Sequence, residues 1–455
     1  MGKVTRGIGR GWILAAVIAA MLTLGLEPLW AAEASWPGWR GPRHDGTTVA
    51  EGLPVELGEQ VVDWKLEVPA RSGATPAVAE GWVFLAVSYN PEKNDQLEIW
   101  GIDAESGKVG WKHNLGGGNK FRYKHHSSSP SPVTDGESVW IVTGTGVLSA
   151  FSLEGQLRWQ RDLQKDYGAF GMKFGYASSP LLEDGDLFLQ VLHSTDGAVP
   201  SYALRIDGAT GETKWRVDRA TEAVAESPDA YSTPMPLRRG EGLEVVISGG
   251  DVITGHDAVS GAELWRVGSL NPSNSPRGRI VASPLIAGDK LFAFGKRGPV
   301  LAFRLGEEAG SPPQPLWQAA KGTDVPTPVT DGEYLYLIND KGIATTFNAE
   351  TGEVLYGPER LAVGTYSGSP LLASASGLIY AVSEEGTVTV YATGPKFRIV
   401  ATSDVGGYTL SSLAVAEDRL LVRTEDHLWA FRTPKAEPAA KPATAAEGKK
   451  SEAGR

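Results

Sequence analysis

Of four long stretches, GGGNKFRYKHHSS (116–128), QKDYGAFGMKFGYA (164–177), RATEAVAESPDAY (219–231) and SLNPSNSPRGRI (269–280), the first, second and fourth set cations beside aromatic rings or amides. Lys120, Arg122, Tyr123, Lys124, His125, Lys173, Arg277 and Arg279 together would make a basic, aromatic rim in a chain whose net charge is −11. Tyr176, Tyr231, Tyr366 and Tyr408 each stand shortly before a Ser/Thr-rich step. Guanidinium and ammonium groups next to aromatic planes suit an anionic group, a peptide or a glycan. The other use of the same residues is packing of one loop on another.

Signals for covalent chemistry are weaker. The chain has no Cys, which excludes disulfides, thiolate metal sites and a Cys nucleophile. His125 and His126 are adjacent, and on an extended strand neighbours point to opposite sides, so they make a poor metal pair. The Gly-rich GGGNK (116–120) has no Ser or Thr after its Lys and is not a phosphate cradle. Neither a nucleophile elbow nor a His-Glu-x-x-His run occurs. Asp103, Asp135, Asp184, Asp207, Asp257 and Asp331 recur at turn positions, where an Asp side chain caps its own backbone. No catalytic residue and no metal ligand set is assigned. The acidic balance also argues against nucleic acid or an anionic membrane surface as the main partner.

The elements that must carry these loops repeat. IDAESGKVGW (102–111) returns as IDGATGETKW (206–215), HDAVSGAELW (256–265) and FNAETGEVLY (347–356). Residues 127–163 show a whole cycle of four short β-branched or aromatic runs bounded by turn residues. Four short antiparallel strands per unit make a propeller blade. A first-strand Pro recurs at Pro76, Pro132, Pro180, Pro234, Pro284, Pro328 and Pro370, with Ser412 in the eighth slot. A fourth-strand aromatic recurs at Trp64, Trp111, Trp159, Trp215, Trp265, Trp317, Tyr356 and Phe397, each expected to wedge between adjacent blades. Both markers predict eight blades. Trp64 precedes the first Pro while the last unit ends after three strands, so the N-terminal strand is expected to complete the last blade and close the ring. The leader at 35–60 should pack beside this closure through Trp36 and Trp39. Connections from fourth strand to next first strand share one face. Their aromatic-to-Pro interval is 19–21 residues from Trp111 to Pro132 through Trp265 to Pro284, and 11–15 elsewhere.

The unit Ser-x-Pro, Asp-Gly, then Asp-Ala-x-x-Gly-x-x-x-Trp resembles the pyrroloquinoline-quinone (PQQ) repeat over about 61–432. That repeat builds quinoprotein alcohol dehydrogenases and the periplasmic scaffold of outer-membrane barrel assembly, and the chain looks more like the scaffold. In the dehydrogenases the quinone lies between a Trp and a vicinal disulfide, with calcium and an Asp base. Without Cys that platform cannot form here, so no cofactor is expected. PQQ with calcium belongs to the alternative reading, a quinone-dependent dehydrogenase; a hydrolase or lyase with a loop-built site is a further one. The resemblance implies an all-β, eight-bladed propeller of four-stranded antiparallel blades over 61–433, acting as a scaffold for a protein, a peptide or an envelope polymer.

At the N-terminus Lys3, Arg6 and Arg10 precede a 15-residue apolar run (12–26) and Ala32-Glu33-Ala34, which reads as an export signal over 1–34. An uncleaved signal would be the one membrane contact, and the location expected is periplasmic or extracellular. Residues 434–455, rich in Pro, Ala, Lys and Glu, read as a disordered tail.

Overall fold

The computed structural model describes residues 35–90, 96–118, 124–194 and 199–434. Within them lie eight blades of four antiparallel strands arranged as a ring, one of them extended by a short parallel strand, and the sequence expectation of an eight-bladed propeller holds. Blades 1 to 7 run in chain order over 77–117, 133–162, 181–218, 235–267, 285–319, 329–360 and 371–404. Blade 8 takes three strands from 414–432 and its outermost strand, Val62–Glu67, from the N-terminal side. Val62 pairs with Phe431 and Glu67 with His427, so the last blade is a clasp between two distant stretches of chain.

Each second and third strand is almost wholly buried, as in Ser138–Val142 and Asp186–Val191, because both of its faces meet neighbouring blades. The fourth strands are edges and alternate in burial, as in Val109–Gly117. In every blade the ladder between third and fourth strand slips by one residue just before the aromatic slot, for example between Leu157 and Trp159 and between Val62 and Trp64. A bulge of this kind re-aims the next side chain, here toward the following blade.

That register corrects one sequence assignment. In blade 7 the slip falls between Ile399 and Ala401, so Ala401 fills the aromatic slot and Phe397 lies before the strand. Phe397 packs back on Tyr356 (5.5 Å) and Tyr391 (6.1 Å) instead. The leader makes up the missing bulk, since Leu53 and Leu57 are buried in the same core as Ala401 and the last blade.

Docking between blades is visible in the repeat. Trp64, Trp111, Trp159, Trp215 and Trp317 each donate the indole N–H to a backbone carbonyl in the next blade, at Ala104, Leu153, Gly208, Ala258 and Ala349, over 2.7–3.0 Å. Gly211, at φ +75°, shows why the motif keeps its Gly: a Cβ there would come within 2.7 Å of the Trp159 ring. The motif's Asp holds the turn, as when Asp207 accepts from the backbone N–H of Ala209 and Thr210.

Candidate functional site

The first strands surround the axis, and the residue before each marker Pro is Ser or Thr. Their hydroxyls form a collar. The backbone N–H of Thr75 donates to Ser131 Oγ, Ser131 to Ser179, Ser179 to Thr233, Thr233 to Ser283, Ser283 to Thr327, Thr327 to Ser369 and Ser369 to Ser412, all between 2.8 and 3.2 Å. Seven of the eight junctions carry this link. At the eighth, Ser411 Oγ donates to the Ala74 carbonyl instead (2.6 Å).

The leader closes one end of the axis. Trp36 pairs with Val78 of blade 1, and the Pro37 carbonyl accepts from Thr134 of blade 2. His44 reaches Glu183 of blade 3 at 3.0 Å, and Thr47–Thr48 adds a parallel strand beside Leu372 and Ala373 of blade 7. Between these anchors Trp39 crosses the axis and donates to Ser412 Oγ (3.2 Å). The buried Arg40 guanidinium donates to the Pro328 and Pro370 carbonyls, at 2.7 and 3.2 Å. Burial lowers the Arg40 pKa to about 10, with Asp45 acting in the opposite direction.

Above Trp39 lies a blind funnel of about 520 Å³ that opens on the face carrying the fourth-to-first connections. Ser131, Ser179, Thr233, Ser369 and Ser412 of the collar face it. One wall is aromatic: His125 stacks on Phe174 at 5.5 Å and leans on Tyr231 at 5.0 Å. Burial, then Arg279 and Lys124, lower the His125 pKa to about 4, so the ring is neutral at neutral pH. Arg279 lies over Phe174 at 5.0 Å and pairs with Glu226 at 2.7 Å. Lys173 pairs with the other oxygen of Glu226 at 2.8 Å. Lys124 spans the mouth from the connection before blade 2 to Glu384 of blade 7. Glu384 also accepts from Ser367 and, at 2.8 Å, from Tyr408, whose ring stands under Arg71 at 5.5 Å.

The structure therefore brings Lys124, His125, Tyr231, Arg279 and Tyr366 to the funnel lining, with Lys173 and Tyr408 bonded to the acids that hold its cations. Tyr176 is turned away into the core between blades 2 and 3, packed on Phe170 at 5.1 Å. Tyr366 is likewise mostly core, its hydroxyl donating to the Ala362 carbonyl at 3.1 Å. Arg277 is exposed outside the lining. Lys120, Arg122 and Tyr123 lie outside the described residues.

Sequence reasoning missed Arg297, Asp324, Asp340 and the floor at Trp39. Arg297 Nε lies 3.6 Å from Asp324 and its Nη2 3.9 Å from Asp340. Burial raises the Asp324 pKa. Arg297, Asp340 and Glu384 sit in second-to-third-strand turns. In an antiparallel four-stranded blade these emerge on the same face as the long connections, so topology alone could have nominated them.

A family model described as outer membrane protein assembly factor BamB, of the PQQ_2 type, matches residues 58–171 and 173–356. The chain belongs to this PQQ-repeat family. Among solved structures, BamB from Moraxella catarrhalis is 17% identical with a TM-score of 0.57, covering 81% of this chain and 99% of that one. A europium-containing methanol dehydrogenase gives 10% identity and a TM-score of 0.63 over 91% of this chain and all of its own. A quinohemoprotein alcohol dehydrogenase from Comamonas testosteroni gives 12% and 0.59, over 90% and 83%. At these identities the likeness is one of fold. No curated protein sequence matches the chain.

Some members of such folds hold a quinone and a metal, so the funnel residues can be tested for that fit. Among the described residues no three His, Asp or Glu side chains gather to hold a metal ion. Asp324 and Asp340 flank a guanidinium instead of an ion site, and the aromatic lining divides into the His125, Phe174 and Tyr231 cluster, the Trp39 floor and Tyr366. The donor set does not suit a metal-bound quinone.

Proposed function

We propose that the protein is an exported, non-catalytic propeller whose open funnel face binds a protein, a peptide or an envelope polymer. One observation carries the reading: the leader stoppers the axis at Trp39, and among the described residues Lys124, Arg279 and Arg297 stand at the mouth of the funnel above it. Loops on a rigid ring are a usual place to graft recognition. Membership of the BamB-like family supports a binding or scaffolding role. The basic, apolar and small-residue run at 1–34 supports export.

The test compares partner capture from an envelope extract by wild type, by Lys124→Ala/Arg279→Ala/Arg297→Ala, and by Glu137→Ala on the opposite face. A partner retained by the control and lost by the triple variant supports the reading. Turnover of an alcohol with PQQ, calcium and an electron acceptor would overturn it in favour of a dehydrogenase.

A further inference from the structure

We infer that the funnel receives an oxyanion, a carboxylate or phosphate carried on a small apolar body, with its charged end toward the hydroxyl collar. The inference rests on the binding-face reading above and supplies its ligand chemistry.

The collar is the first ground. Ser131, Ser179, Thr233 and Ser369 each accept a backbone N–H, so part of their acceptor capacity is spent. Among the described residues no protein acceptor takes their own hydroxyl protons, although all four are more than nine-tenths buried. A buried hydroxyl in that state is a donor without a partner. These donors come from blades 2, 3, 4 and 7 and converge on one volume. The group that answers several convergent donors and brings none of its own is an ionised oxyanion.

The rim is the second ground. Each ion pair there exposes its cation and buries its acid: side-chain exposure is 47% for Lys124 against 4% for Glu384, 23% for Arg279 against 10% for Glu226, and 67% for Arg297 against 9% for Asp324. Glu384 and Glu226 stand behind their cations, whereas Asp324 and Asp340 share the lining with Arg297, whose side chain is the more exposed, so a molecule approaching the mouth meets positive charge first. Such an arrangement attracts and orients anions.

Size and the aromatic wall complete the description. About 520 Å³ accommodates one small molecule and excludes a folded domain. Phe174 and Tyr231, with a neutral His125, give an apolar surface for the body of the ligand. A free metabolite or the end of a polymer could both present this chemistry.

The experiment is calorimetric titration of the full chain, at fixed ionic strength, with phenylphosphate, phenylacetate and the uncharged phenylacetamide. At least one anion should bind about tenfold or more tighter than the amide. The tighter of the two anions identifies a phosphoryl or a carboxyl source. Arg297→Gln, on an exposed side chain, should weaken that anion by about tenfold while leaving the melting temperature unchanged. Equal binding of amide and anions, or an unaltered affinity in Arg297→Gln, overturns the inference. If partner capture still depends on the rim in that case, the binding face stands and only the oxyanion chemistry falls.

Discussion

The junction between blades 3 and 4 and the next one round, between blades 4 and 5, meet the same packing demand with different chemistry. In the first, Trp215 donates to the Ala258 carbonyl at 2.9 Å and lies over Gly261. In the second, Trp265 turns its N–H to Glu244 of its own blade at 2.5 Å. Glu244 is buried against Arg239, with contacts of 2.6–2.9 Å, and accepts the Gly310 backbone N–H of blade 5 at 2.9 Å. Arg239 donates onward to the Ser311 carbonyl of blade 5 at 2.8 Å. The cause is local: blade 5 writes LGEEAGSPPQ (305–314) where blades 1, 3, 4 and 6 write an Asp- or Asn-x-x-x-Gly turn. The repeat demands a matched donor and acceptor across each seam, and the indole is one of two ways to supply it.

The comparison can be broken hardest at Glu244. Glu244→Ala leaves the Arg239 charge buried without its partner and should cost about 3–5 kcal/mol in urea unfolding. Arg239→Met/Glu244→Leu removes both charges and should recover most of that loss, because a buried pair replaced by apolar residues is often neutral. If the single and double variants are equally unstable, the pair is not what holds this seam.

Next in size are the indoles. Trp215→Ala should cost about 3 kcal/mol, near the lower end for a large aromatic, since its ring is half-buried. Trp265→Ala should cost more, because it also strips a donor from a buried carboxylate. Trp265 therefore behaves as a wedge and as part of an ion-pair network, and equal costs at the two sites would remove the distinction.

Acid sharpens the contrast. His256 sits beside the first junction, bonded to the Gly261 carbonyl at 3.1 Å and Thr254 at 3.0 Å, and burial lowers its pKa. In the funnel lining His125 is held at about 4, and the buried His126 next to it in the chain at about 3, in both cases chiefly by burial. All three pKa values lie below the unfolded value of about 6.5, so the unfolded chain takes up these protons first. Their contribution is complete above about pH 6.5 and declines on acidification, by at most roughly 1.4 kcal/mol per pH unit for each ring. Melting temperatures between pH 7 and 5 should fall, and less steeply in His256→Gln. A flat profile would contradict the assignment.

The smallest stability change should be at the mouth. Lys124→Ala/Arg279→Ala/Arg297→Ala alters no seam but takes the cations from the largely buried acids Glu384, Glu226 and Asp324, and should cost about 1–2 kcal/mol in all, less than either seam variant. Its binding defect should shrink as salt rises, since exposed charges are screened over about 10 Å at 0.1 M. A large fall in melting temperature would make these loops part of the frame.

The ring was legible in the sequence because each blade repeats its own packing rules. The Pro and Trp spacings predict eight units, and the phase of Trp64 predicts the closing strand. Phe397 misled because an aromatic near the right interval stood in for a slot that only the strand register locates, at Ala401. The funnel was half legible. Runs of Lys, Arg and Tyr pointed to the face on which the funnel opens, but whether Tyr176 turns outward or into the core depends on packing with blade 3. The Pro of each Ser/Thr-Pro step served as a marker for counting, and the chemistry of the seven Ser/Thr before it emerges only when they are placed, with Ser412, around one axis.

The clasp of blade 8 has a consequence in time. Val62 cannot find Phe431 until nearly the whole chain has been made, and contacts of such wide sequence separation form slowly. Until then the strand Val62–Glu67 and the edge of His427–Arg432 are both unpaired. A chain that emerges N-terminus first must keep its earliest strand waiting for its last. The order of synthesis therefore makes the seam that completes the ring also the step most open to pairing with the wrong neighbour.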